Sequence, residues 1–132
     1  MSQVPQDLLD AARAVLNNSY SPYSHFKVAC ALRAANGDIF AGCNVENGSY
    51  SVVLCGESSA IAAMVSAGQQ QIAEVLLLVD APELASPCGA CRQRLSEFSN
   101  ADTVVHMCTS DGLYDQQTMS TLLPFAFKLD QT

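Results

Sequence analysis

Positive charge is scarce in this chain. Six Lys and Arg stand against thirteen Asp and Glu, a formal net charge of −7. The cations are scattered as Arg13, Lys27, Arg33, Arg92, Arg94 and Lys128. Binding a phosphate backbone needs clustered cations, so a nucleic-acid polymer is a poor partner and a small neutral ligand fits better. Long apolar runs are lacking too. None reaches the roughly 18 residues that span a bilayer, which argues against a membrane protein. The N-terminal MSQVPQDLLDAARAVL carries Asp7 and Asp10 and lacks the basic, apolar, small-residue order of a signal peptide. It reads as a helix of a cytosolic protein, and we expect a cytoplasmic location. Only two histidines occur, His25 and His106, without the spacing of a zinc-finger pair. A second C-x-x-C, internal repeats, low-complexity stretches and linkers are also absent. What is present is a chain of 132 residues, 49% hydrophobic, enough for one core. We expect a single domain over residues 1–132.

Periodicity divides the chain. Leu8, Leu9, Ala12, Val15 and Leu16 fall on one helical face. NNSYSPYS breaks that pattern. Two alternating runs flank Asn36-Gly37, which predicts a hairpin over residues 26–45. A helix is expected from about Cys55 to Ala67, ended by Gly68. AEVLLLVD reads as a buried strand, CGACRQRLSEF as a helix and TVVHMCT as a strand; SDG is a turn and STLLPFAFK a tail. Strands alternating with helices imply a mixed sheet covered by helices. The continuously apolar strand places helices on both faces.

Of the six cysteines, Cys30, Cys43 and Cys108 sit inside strand-like runs, where a free cysteine acts as a small hydrophobe. Cys88-x-x-Cys91 alone reads as a redox pair, half a zinc site, or chance. A thioredoxin-like pair would follow an early strand, whereas this one comes late, after ASP. Zinc needs further ligands. His106 lies in a strand-like run and His25 in a loop with no obvious partner, so Cys55 is the best remaining donor. Three thiolates leave one position open, the layout of a catalytic rather than a structural zinc. Cys55 starts one predicted helix, and Cys88 and Cys91 start another. Helix N-termini favour the thiolate. Taken singly, Cys55 reads as a buried apolar cysteine and Glu57 as a first-turn acid. Together with the later pair, they point to zinc and to a carboxylate within reach of its open position.

Zinc deaminases carry H-x-E followed by P-C-x-x-C. Here Cys55-x-Glu57 precedes Pro87-Cys88-x-x-Cys91, the all-thiolate variant. With YSPYSHFKVACAL, GCNVENGSY, SPCGACRQ and LLPFAF, the chain resembles the small cytidine deaminases over nearly its full length. The resemblance implies an α/β fold, a three-layer α-β-α arrangement with a mixed sheet of about five strands. It implies Zn2+ on Cys55, Cys88 and Cys91, and Glu57 as proton shuttle. Asn44 and Glu46 would hydrogen-bond the ribose hydroxyls, Phe26 would pack at the base and sugar, and Gly56 would touch the base. Phe127 would stack on the pyrimidine of a neighbouring chain's site, and a neighbour's Tyr50 would reach the ribose 5′ end. The implied reaction is hydrolytic deamination of cytidine and 2′-deoxycytidine in pyrimidine salvage, by a homotetramer with shared active sites. The alternative is a relative acting on an aminated antibiotic nucleoside such as blasticidin S, against which NVEN, a reader of plain ribose, argues.

One stretch departs from the pattern. Relatives of this size often read C-A-E-R where this chain has Cys55-Gly56-Glu57-Ser58. In that pattern the arginine offsets the excess negative charge of the thiolates. Ser58 offers one hydrogen bond and no charge, which leaves Arg92 and Arg94 as candidates for compensation. The methyl missing at Gly56 is expected to widen the pocket near the exocyclic amine, and so to admit N4-substituted cytidines.

Overall fold

The computed structural model describes residues 4–131. Helix α1 (Gln6–Leu16) leads into β1 (Val28–Ala34) and β2 (Ile39–Cys43). These strands form the expected antiparallel hairpin, turned at Gly37 with φ +96°. A single 3-10 turn (Tyr50–Val52) precedes α2 (Gly56–Ser66), and Gly68, at φ +94°, follows the helix end. Then come β3 (Ile72–Val79), α3 (Gly89–Glu97), β4 (Val104–Thr109), β5 (Tyr114–Thr118) and α4 (Met119–Leu122).

The five strands lie in the order β2-β1-β3-β4-β5. β3 and β4 are parallel and the other pairings are antiparallel. A parallel pair needs a crossover connection, and α3 supplies it. Strand alternation sorts the core into two layers. Ala29 and Ala31 of β1 with Leu76 and Leu78 of β3 meet Leu8, Ala12 and Leu16 of α1. Cys30 and Leu32 with Val75 and Leu77 meet Ala60, Ile61 and Met64 of α2 and Leu95 of α3. The apolar β3 is therefore covered on both faces, as its sequence requires. The result is the α/β architecture with a five-strand mixed sheet between helical layers that the resemblance implies.

Residue patterning alone does not show β5. Tyr-Asp-Gln-Gln-Thr has no apolar alternation and falls between the SDG turn and the STLLPFAFK tail. It forms because β5 is an edge strand, open to water, that pairs with β4 across a turn containing Gly112 at φ +99°. At the opposite edge Gly42 of β2 lets α2 approach closely. A methyl there would stand 2.5 Å from the Ala60 backbone nitrogen. That contact draws the start of α2 down onto the hairpin. No helix among the described residues is long and apolar enough to cross a membrane.

Candidate metal centre and substrate cleft

Two helix starts meet on one face of the sheet, beside the C-terminal end of β3. Cys55 is the N-cap of α2 and Cys88 the N-cap of α3, both with extended backbone. Cys91 lies in the first turn of α3 and is buried, while Cys55 is half-buried and Cys88 exposed. The three sulfurs lie within 4.8 Å of one another. They are the one group of metal-ligating side chains among the described residues. Tetrahedral thiolates 2.3 Å from zinc stand roughly 3.8 Å apart, so small side-chain shifts close the cluster on an ion. The donor set suits zinc, and the unpaired N–H groups of two helix starts favour negative sulfur. A hydrogen bond with Cys91 lowers the pKa of Cys55; the same bond and burial push the Cys91 thiol up.

Glu57, in the first turn of α2, is 3% exposed. Burial raises its pKa, opposed by hydrogen bonds to its own backbone N–H and to Cys91 and by the charge of Arg94. It lines a cleft of about 190 Å³ with Phe26, Asn44, Cys55, Gly56 and Cys88. The carboxyl and two of the three sulfurs therefore face one space large enough for part of a small ligand.

The other expected substrate residues are distributed differently. Glu46 and Tyr50 line a second, more open cleft of about 460 Å³, and Val53 borders both clefts. The Glu46 carboxylate accepts from the backbone N–H of Tyr23 at 3.0 Å and of Ser24 at 3.2 Å, and from the Ser24 hydroxyl. The Ser24 hydroxyl does most to hold its pKa down. Asn44 is buried and braces the loop between α1 and β1. Its carbonyl accepts from Val28 N–H at 3.0 Å and from the Ser19 hydroxyl, and one amide N–H donates to the Phe26 carbonyl at 2.8 Å. Its second N–H has no partner among the described residues. Phe127 lines neither cleft. Its carbonyl is tied to Gln93 Nε2 at 3.1 Å on the outer side of α3, and the residue is 66% exposed.

The histidines stay out of the metal centre. His106 is buried in β4 between Tyr114 Oη at 2.7 Å and Glu74 at 2.6 Å. His25 sits in the loop before β1 with φ 59°. Two expectations need correction. Ser58 supplies no hydrogen bond, for its hydroxyl is buried without a partner. A methyl on Gly56 would meet the Val28 carbonyl oxygen at 3.3 Å and Cys30 N at 3.4 Å. The space left by its absence is filled by β1, so glycine lets helix and strand draw together and does not by itself enlarge the cleft. Sequence reasoning missed Ser24 as the brace of Glu46, although it stands in the YSPYS motif. It named Arg94 without placing it. Arg94 follows Cys91 by three residues, one helical turn, and that spacing was the available signal.

Comparison with known proteins gives a consistent result. The description "Cytidine and deoxycytidylate deaminase zinc-binding region" matches residues 2–107. The chain is 39% identical over 122 residues to a cytidine deaminase of Mycoplasma genitalium, covering 92% of this chain and 93% of that one. It is 43% identical over 116 residues to a cytidine deaminase of Mycoplasma pneumoniae, covering 86% of each. Among solved structures, a cytidine deaminase from Burkholderia pseudomallei superposes with a TM-score of 0.88 at 35% identity, covering 95% of this chain and all of that one.

Proposed function

The chain belongs to the zinc-binding cytidine deaminases and has their α/β fold. From that premise we propose that it hydrolyses cytidine and 2′-deoxycytidine to uridine and 2′-deoxyuridine with release of ammonia. The observation that carries this reading is the three-cysteine cluster beside a cleft lined by two of its members, Cys55 and Cys88, together with the buried Glu57. Cys55, Cys88 and Cys91 would hold the zinc, which would supply the Lewis acidity that activates water.

The remaining chemistry falls to side chains of the protein. Glu57 takes a proton from the attacking water and passes it to N3 of the base as oxygen bonds to C4. The carbon becomes tetrahedral. Glu57 then moves the second proton to the exocyclic nitrogen, the C4–N bond breaks, and ammonia leaves. A buried carboxyl suits this work because burial raises its pKa above the ordinary carboxylate value, which makes it a better acceptor of the water proton. Asn44 and Glu46 fix the ribose hydroxyls, while Phe26 and Gly56 border the base. The assay is the ultraviolet change on mixing the protein with cytidine, 2′-deoxycytidine, an N4-alkylcytidine and an aminated antibiotic nucleoside. Turnover of the antibiotic with none of cytidine would replace this reading.

Glu46→Ala tests the ribose contact. The carboxylate is already oriented by Ser24, whose hydroxyl and N–H favour its charged form. Hydrogen bonds to charged groups are the stronger ones. KM for cytidine is therefore expected to rise roughly 10-fold or more, with a smaller change in kcat. A fall confined to kcat would assign Glu46 elsewhere.

We further propose a homotetramer in which Phe127 and Tyr50 reach a neighbour's site. Phe125 is 95% exposed, Phe127 66% and Tyr50 79%, large rings that a lone chain leaves in water. Sedimentation should give about four times the chain mass, and Phe127→Ala should raise KM without loosening zinc. A monomer with full activity would rule out shared sites. The protein would act as one catalytic domain in the cytoplasm, where thiols stay reduced. All six cysteines are free, in keeping with that compartment. Its product would return to nucleotide synthesis through pyrimidine salvage.

A further inference from the structure

We propose that Arg94 is the positioning residue that balances the charge of the thiolate cluster, from the helix opposite the one that carries Ser58. Its Nη1 stands 3.5 Å from Cys91 Sγ. The two residues are three apart on α3, so one turn of helix sets the contact. Arg94 and Ser58 border the same open groove between α2 and α3, of about 410 Å³, lined also by Ile61 and Glu97. On the α2 side the Ser58 hydroxyl is buried and makes no hydrogen bond. Helix α2 carries no Lys or Arg, so no cation reaches the sulfurs from that side.

Arg92, the other nearby cation, is committed elsewhere. Its Nε donates to the Pro87 carbonyl at 2.8 Å, Nη1 to the Leu122 carbonyl at 2.9 Å and Nη2 to Ser86 Oγ at 2.9 Å. It clamps the loop before α3 to the C-terminal segment. Of the two guanidinium groups flanking the cluster, only that of Arg94 is directed at a sulfur.

Loading with metal changes the charge of the cluster. Three neutral thiols carry no charge, whereas three thiolates outweigh the two positive charges of a zinc ion. Binding metal thus creates net negative charge beside the buried Glu57. A guanidinium within reach of the sulfurs stabilises the loaded state more than the empty one. Its groove is open to solvent, which screens the effect. The contact also holds Cys91 Sγ in the direction of the other two sulfurs, as partners of metal ligands generally do.

The proposal rests on zinc at the three cysteines, and its test does not depend on which nucleoside is turned over. Competition with a chromophoric chelator gives the zinc affinity of the full-length protein. The cobalt-substituted protein gives the thiolate-to-metal charge-transfer band. Arg94→Gln is expected to weaken zinc about 10-fold, the lower end for such residues, and to shift the band. Arg94→Lys should recover most of the affinity, and Ser58→Arg in the Arg94→Gln protein should restore it from the opposite helix. Arg94 lies outside the core, so thermal melting of the variants should stay close to that of the parent. Zinc affinity and band position unchanged in Arg94→Gln would overturn the proposal. So would equal losses in the Gln and Lys variants with no recovery from Ser58→Arg, because charge would then not be the property that matters.

Discussion

Glu57→Gln is expected to leave zinc bound and to lower turnover of cytidine by at least about 100-fold, the low end for general acid–base catalysis. The replacement keeps the volume and planar shape of the side chain. Glu57 is 3% exposed and packed at the start of α2, so shape conservation keeps the cleft intact. What disappears is the capacity to accept a proton and return it. An amide can still hydrogen-bond a water, but it cannot carry the proton to N3 or to the leaving amine. The loss should therefore fall on kcat, with KM moving little. Metal analysis beside the kinetics separates this from ligand loss, and near-normal kcat with zinc retained would remove Glu57 from the proton path.

The same variant carries a stability consequence in the zinc-free protein. Burial raises the folded pKa of Glu57 above its unfolded value. Such a group contributes to stability below the unfolded pKa and loses that contribution as pH rises through the folded pKa. Glutamine has no such transition. Zinc-free Glu57→Gln should therefore melt above the parent near neutral pH, with the gap shrinking as pH falls through the carboxylate range. A gap independent of pH would mean that packing, not ionisation, sets the difference.

The second large effect is expected at the metal ligands. Cys55→Ser and Cys88→Ser should each reduce zinc from about one per chain to a small fraction, and reduce activity roughly a thousandfold or more. Lewis-acid stabilisation of the transition state is worth several kcal/mol, and about 1.4 kcal/mol is a factor of ten in rate. These two positions allow a clean measurement because both are N-caps. Serine is among the preferred N-cap residues, so each helix start survives while its thiolate is lost. Cys30 makes the control. It is also free, but it sits fully buried in the core between β1 and α2. Cys30→Ala should lower the melting temperature and leave zinc content unchanged. Equal zinc loss in the Cys30 and Cys55 variants would show that disturbed folding, not ligation, is being measured.

Much of the molecule could be read locally. The period of Leu8, Ala12 and Leu16 made α1, the Asn36-Gly37 turn made the hairpin, and continuous apolarity marked β3 as covered on both faces. The residue types of the site were also legible, because a cysteine and a glutamate at one helix start and a C-x-x-C at another have no packing purpose together. The strand β5 was not legible from its residues, because Asp115, Gln116 and Gln117 tell of water on the sheet edge rather than of a strand.

By itself, then, the sequence determined which side chains could hold zinc and move a proton, and that each would stand at the beginning of a helix. Caps, turns and periods act over a few residues, and a chain of letters displays them directly. Only the tertiary structure decided that the starts of α2 and α3 share one space, that Arg94 rather than Arg92 faces the sulfurs, and that β1 fills the room beside Gly56. Cys55 and Cys88 are held together by the packing of Ala60, Ile61 and Leu95 on one face of β1 and β3. Those contacts join segments far apart in the chain. They form only once the sheet has assembled and apolar surface from several elements leaves water together, so no short stretch of sequence contains them.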